Sequence, residues 1–138
     1  MKKCMAIDWG EKRIGIAFNH GTSLAFPAQV LESQGWTEDA KLIVRLAQQQ
    51  KIDTIIIGLP LGMKTAQERE DSVIVKLGQE IKKLFSGKVV FFDERLTTKE
   101  AEKRLIEADV SRKKRKMIVD KISAALILEK YLGQNHER

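Results

Sequence analysis

The stretch Lys3-Cys4-Met5-Ala6-Ile7-Asp8-Trp9-Gly10-Glu11-Lys12-Arg13-Ile14-Gly15-Ile16-Ala17-Phe18 decides the fold. Lys3 to Asp8 and Ile14 to Phe18 read as strands, and Trp9 to Arg13 reads as the turn of a hairpin between them. The first strand closes on a carboxylate. A charge at the end of a buried strand is costly unless it is paired, hydrogen-bonded or bound to a metal. The strand period of two places Asp8 on the face of Ala6 and Cys4, small side chains that let a helix approach closely.

Outward from this hairpin the pattern changes. Asn19 to Ser23 is rich in turn residues, and Ala25 to Leu31 forms a third strand in which Pro27 predicts an edge position or a bulge. Helical spacing follows: Thr37 is placed to cap a helix whose apolar face holds Leu42, Ile43, Leu46 and Ala47. Ile55-Ile56-Ile57 is a continuous β-branched run, expected where a strand is covered on both faces, and Gly58-Leu59-Pro60 ends it. A second helix is predicted over Gln67 to Phe85 with Val73, Ile74, Leu77, Ile81 and Leu84 on one side. Lys88 to Asp93 is the fifth strand. Thr97 with Glu100 three residues on is a capping-box pattern for a third helix. Asp109 to Arg115 reads as a mobile loop, and the last helix runs from Lys116 to Leu132. The order β-β-β-α-β-α-β-α-α predicts an α/β fold: a mixed five-stranded sheet with helices on both faces. Residues 1–138 read as a single domain, since no repeat, linker or low-complexity stretch divides them.

Composition narrows the class. Hydrophobic residues make up 43% of the 138 positions and charged residues 32%, the balance of a soluble globular protein. The lone cysteine, Cys4, excludes an intrachain disulfide and reads as a small core residue. The apolar run after Lys2-Lys3 is broken by Asp8, too short for a signal peptide, and no stretch approaches the roughly 20 apolar residues that span a bilayer. A cytoplasmic protein without membrane contact is expected. Net charge is +6, and Arg112-Lys113-Lys114-Arg115-Lys116 alone supplies five positive charges. Basicity this local points to a polyanion, against the bland alternative of a solvated charged loop.

Three acids carry the candidate chemistry. Asp8 closes the first strand, Glu94 follows the fifth, and Asp120 lies in the amphipathic segment Met117 to Ala125. Asp120 shares a helical stripe with Ser123, Ala124 and Ile127, and the small Ser123 and Ala124 suit a helix packed tightly over the sheet. Sites in open α/β sheets form beyond the carboxyl ends of the parallel strands, so parallel first, fourth and fifth strands would give Asp8, Gly58-Leu59-Pro60 and Asp93-Glu94 one rim. Three carboxylates there make a hard-cation site for one or two Mg²⁺ or Mn²⁺ ions, suited to in-line hydrolysis of a phosphodiester. Adjacent strand residues face opposite ways, which favours Glu94 for the site and leaves Asp93 a supporting role. Lys12, Arg13, Arg95 and the run Arg112, Lys113, Lys114, Arg115 and Lys116 are the candidate nucleic-acid contacts. A solvated hairpin tip is the alternative for Lys12 and Arg13. Gly10 and Gly15 are assigned to conformation and close backbone approach. Thr97 and Thr98 read as caps, Trp9 as packing rather than base stacking, and His20 and His136 lack metal-ligand spacing.

The segments DWGEKRIG (Asp8 to Gly15), IIGLPLGM (Ile56 to Met63), DERLTT (Asp93 to Thr98) and KMIVDKISAALIL (Lys116 to Leu128), in this order and spacing, together resemble the YqgF family, also called RuvX-type. The resemblance implies an RNase H-like fold related to RuvC-type Holliday-junction resolvases, and a role in maturing the 5′ end of 16S rRNA. By position, Asp8, Glu94 and Asp120 match the family's catalytic acids. Two departures stand out. Resolvase relatives place the equivalent of Glu94 after the fourth strand, where this chain has Gly58-Leu59-Pro60. The Asp-Gly turn common after the family's GLP segment is here Lys64-Thr65. The expected partner is precursor 16S rRNA or branched DNA, and the expected state a monomer or weak homodimer. The competing readings are a DNA junction resolvase, an rRNA-binding assembly factor that cleaves nothing, and an actin- or kinase-like ATPase, for which the chain is too short to supply two lobes.

Overall fold

A computed structural model describes residues 2–19, 25–59, 72–93, 103, 106–108 and 111–135. Its elements, in chain order, are β1 (Cys4–Trp9), β2 (Arg13–Phe18), β3 (Phe26–Glu32), α1 (Trp36–Gln49), β4 (Thr54–Leu59), α2 (Val73–Leu84), β5 (Lys88–Asp93) and α3 (Arg112–Asn135). The five strands form one sheet in the order β3-β2-β1-β4-β5. The hairpin strands β1 and β2 are antiparallel, as are β2 and β3, whereas β1–β4 and β4–β5 are parallel. The predicted α/β architecture and the shared rim of β1, β4 and β5 therefore both hold.

The hairpin turn closes on a hydrogen bond from Gly10 N to Arg13 O of 2.9 Å. A Cβ at Gly10 would stand 3.1 Å from that carbonyl, so close approach, not a left-handed backbone, is the reason for glycine. At the hairpin's other end the buried Asn19 accepts from Cys4 N at 2.5 Å through Oδ1 and donates to Lys2 O at 3.0 Å through Nδ2. Pro27 fulfils both of its expectations. It lies on the edge strand, and the pairing shifts between Ile16 and Ala17, with Gln29 opposite one and Pro27 opposite the other.

Side-chain alternation divides the core in two. Met5, Ile7, Ile14, Ile16, Ile55 and Ile57 pack with α1 and α2. Cys4, Ala6, Ala17 and Ile56 pack with Ala124, Ala125, Ile127 and Leu128 of α3. The run Ile55-Ile56-Ile57 is thus buried on both faces, as its composition predicts. On the α2 side, Gly78 is dictated by contact, since a Cβ there would fall 2.2 Å from Phe91 Cζ. Burial pushes the Cys4 thiol up from its ordinary pKa, with Asp53 adding to the effect, which fits a core residue and not a nucleophile. Among the described residues no helix is long and apolar enough to cross a membrane.

Several boundaries differ from the sequence reading. α1 starts at Trp36, and Gly35 with φ of 95° occupies the cap position instead of Thr37. α2 starts at Val73, where the Ser72 hydroxyl accepts from Ile74 N at 3.2 Å. Gln67 to Asp71, the expected start of that helix, lie outside the described residues. Val73 and Leu84, assigned to its apolar face, are exposed. α3 starts at Arg112, so the basic run is helical and not part of a loop. Ser111 explains the early start, its hydroxyl accepting from Lys114 N at 3.4 Å, and lysine and arginine are themselves good helix formers. Thr97 and Glu100 lie outside the described residues, while Lys103, Ile106 and Glu107 are helical.

One buried charge organises the α1 side. Asp39 is fully buried, accepting from Trp9 Nε1 at 2.7 Å, Ser33 Oγ at 2.5 Å and Gln34 N at 2.8 Å. It ties the end of β1 to the segment after β3 and to the first turn of α1. Asp39→Ala strands these three donors, and a loss of roughly 2–4 kcal/mol in urea unfolding is expected. A loss below about 1 kcal/mol would show that water replaces the carboxylate at little cost.

Candidate functional site

Asp8 sits near the carboxyl end of β1 and is half-buried. Its cross-strand partner on β2 is Gly15, so no side chain directly opposite crowds the carboxylate. Ile7 pairs with Ile57 at the last β1–β4 step, and Gly58 follows on β4, paired with Phe92 of β5. Cys4, Ala6 and Ala17 leave room for α3 to lie close on this face. From α3 the Ser123 hydroxyl, in a residue only 2% exposed, donates to Asp8 Oδ2. The small stripe read from the sequence therefore does bring α3 onto the end of β1.

The structure treats the predicted residues unequally. Asp8 is fully described. Asp120 belongs to α3, three residues and so one turn before Ser123, and its backbone alone is described. Glu94 and Arg95 lie outside the described residues; Asp93 ends β5 opposite Leu59. Among the described residues no three His, Cys, Asp or Glu side chains come together, and that set lacks the two acids expected to join Asp8. Lys12 and Arg13 are exposed at the hairpin turn. Arg112, Lys113 and Lys114 are exposed on the first turn of α3, and the backbone of Arg115 and Lys116 continues the helix. At 1.5 Å per residue, Arg112 lies about 12 Å along the axis from Asp120. No acidic residue accompanies these cations in the first turn. Cations at a helix N-terminus oppose its dipole, so a phosphate there meets both the side chains and the positive helix end.

Two contacts beside Asp8 carry no clear sequence signal. The sequence pattern marks Ser123 by its small size and not as a donor. Asp39 gave no signal beyond an acid in a first turn, yet its bond to Trp9 fixes the residue after Asp8. Trp9 is half-buried against the core, as the packing reading expected. Asp8 supplies a carboxylate oxygen, the donor type a hard cation takes, and the Ser123 hydroxyl occupies its Oδ2.

Comparison with known proteins supplies the family. The profile of the RuvX family, described as Holliday junction resolvase, matches residues 2–134. A Clostridium perfringens protein named "Putative pre-16S rRNA nuclease" is 36% identical over 135 residues, covering 96% of this chain and 97% of its own. A protein of the same name from Endomicrobium trichonymphae is 41% identical over 134 residues, covering 96% of each chain. Among solved structures, RuvC of T. thermophilus in complex with a Holliday junction substrate superposes with a TM-score of 0.61 at 9% identity, covering 99% of this chain and 97% of that one. At that identity the likeness speaks for the fold alone, an RNase H-like mixed sheet with helices on its faces. By the profile match and by relatives similar along nearly their whole length, the chain belongs to the RuvX (YqgF) family.

Proposed function

We propose that this chain, as one domain over residues 1–138, is a divalent-metal-dependent nuclease that hydrolyses phosphodiester bonds at the 5′ end of precursor 16S rRNA. The observation that carries the proposal is the Ser123–Asp8 hydrogen bond, which ties α3 to the carboxyl end of β1. In this reading Asp8, Glu94 and Asp120 hold Mg²⁺ or Mn²⁺. Glu94 is favoured over Asp93 by the alternation of β5, where Phe91 packs on the α2 side and Phe92 on the α3 side. The ion would supply an activated water and offset the charge of the phosphate. Asp8 is oriented by the hydroxyl of Ser123, which brings no charge of its own to the site. Arg112 to Lys116, with Lys12, Arg13 and Arg95, bind and orient the backbone of the nucleic acid. The pre-16S rRNA substrate is taken from the relatives' names, and the family description keeps junction DNA as the comparison substrate.

Asp8→Asn keeps the shape of the side chain and removes its charge. Its cleavage of a 5′-extended 16S rRNA fragment with Mn²⁺ should fall by more than about 100-fold, beyond the 10–100-fold that follows loss of an outer hydrogen bond. RNA binding should be retained; cleavage at the wild-type rate would refute the assignment. The same assay on a four-way DNA junction separates the substrates, and faster cutting of the junction would reassign the protein as a resolvase. For the basic helix start, replacing Arg112, Lys113 and Lys114 together by alanine should weaken binding to single-stranded RNA. The slope of log K against log salt should fall by about 2, at roughly 0.7 per phosphate contact. An unchanged slope would remove these residues from the interface.

A further inference from the structure

We propose that Ser123 is a positioning residue that holds Asp8 as a one-oxygen ligand for the divalent cation. The inference rests on the reading of Asp8 as a metal ligand and adds a residue to it. An ionised carboxylate has two oxygens and about four lone-pair sites, and left alone it can turn either or both toward a cation. Here the Ser123 hydroxyl donates to Oδ2, and Oδ1 has no hydrogen-bond partner among the described residues. Ser123 is fixed in turn. It is 2% exposed on α3 and followed by Ala124, itself fully buried against the sheet. The hydroxyl therefore cannot swing into solvent without moving the helix. The opposite β2 position is Gly15, and Ser123 is the side chain that hydrogen-bonds the carboxylate among the described residues.

This placement separates two tasks. Oδ2 is committed to the fold, linking α3 to β1, and Oδ1 is presented to the ion. A serine suits this better than a lysine or a second acid. Its hydroxyl donates a hydrogen bond without neutralising Asp8 and adds no charge to compete for the metal. Residues of this kind, bonded to a ligand and not to the metal, typically change metal affinity or activity by about 10–100-fold when removed.

The test is Mn²⁺ binding by titration calorimetry on the full chain, with thermal unfolding recorded for each variant. Ser123→Ala should weaken Mn²⁺ binding about 10-fold and melt somewhat earlier than wild type, since it loses a hydrogen bond linking α3 to β1 and alanine's helix preference returns only part of that loss. Ala124→Gly loosens the same helix without touching the hydroxyl, so it should melt earlier and bind Mn²⁺ normally. If Asp8→Asn loses Mn²⁺ and Ser123→Ala does not, the positioning role is overturned and the metal reading stands. If Asp8→Asn binds Mn²⁺ as well as wild type, both fall. An affinity loss in Ala124→Gly equal to that in Ser123→Ala would reduce Ser123 to packing and overturn the proposal.

Discussion

The end of β1 is held from both faces of the sheet, and the remainder of the site depends on that double anchorage. Asp8 and Trp9 are neighbours in a strand, so their side chains point in opposite directions. On one face the Ser123 hydroxyl of α3 reaches Asp8; on the other the carboxylate of Asp39 in α1 receives the indole N–H of Trp9. A carboxylate at a strand end would otherwise be free to turn with the chain. With both neighbours tied to separate helices, the backbone at Asp8 is fixed by the two layers that cover the sheet. The layers differ in kind. The α1–α2 side is filled by isoleucine, leucine and methionine, while the α3 side uses Cys4, Ala6 and Ala17, which is what allows α3 close enough for a serine to reach.

The two carboxylates are distinguished by how fully they are satisfied. Asp39 is buried and takes three donors, close to the capacity of a carboxylate. Asp8 is half-buried and takes one donor among the described residues. A carboxylate kept at the boundary of the core with spare acceptor capacity is what the proposed cation site requires. The distribution of positive charge agrees. Without Arg112 to Lys116 the chain would carry a net charge of +1, so attraction to a polyanion is concentrated at the helix that carries Asp120 and Ser123.

Much of this was legible in the sequence, and the reasons are physical. The hairpin, the covered strand Ile55-Ile56-Ile57 and the irregular edge at Pro27 follow from β-branching, alternation and the missing proline N–H. The small-residue pairing of Cys4 and Ala6 with Ser123 and Ala124 was readable because periods of 2 and about 3.6 assign faces directly. Helix starts were less legible. The cap at Gly35 depends on a positive φ that no side chain announces, and the start of α3 depends on one serine hydroxyl before a run of cations. Asp39 could not have been found, because three donors from three different segments meet only after folding. Glu94 and the side chain of Asp120 stand on the sequence pattern and the family resemblance.

The most direct measurement is an anomalous-difference map from crystals of the protein soaked in Mn²⁺. The expected map has a peak about 2–2.4 Å from Asp8 Oδ1, shared with oxygens of Glu94 and Asp120, while the Ser123 hydroxyl stays on Oδ2. Manganese bound elsewhere with Asp8 uncoordinated, or Glu94 and Asp120 held away from it in the metal-loaded protein, would contradict the site.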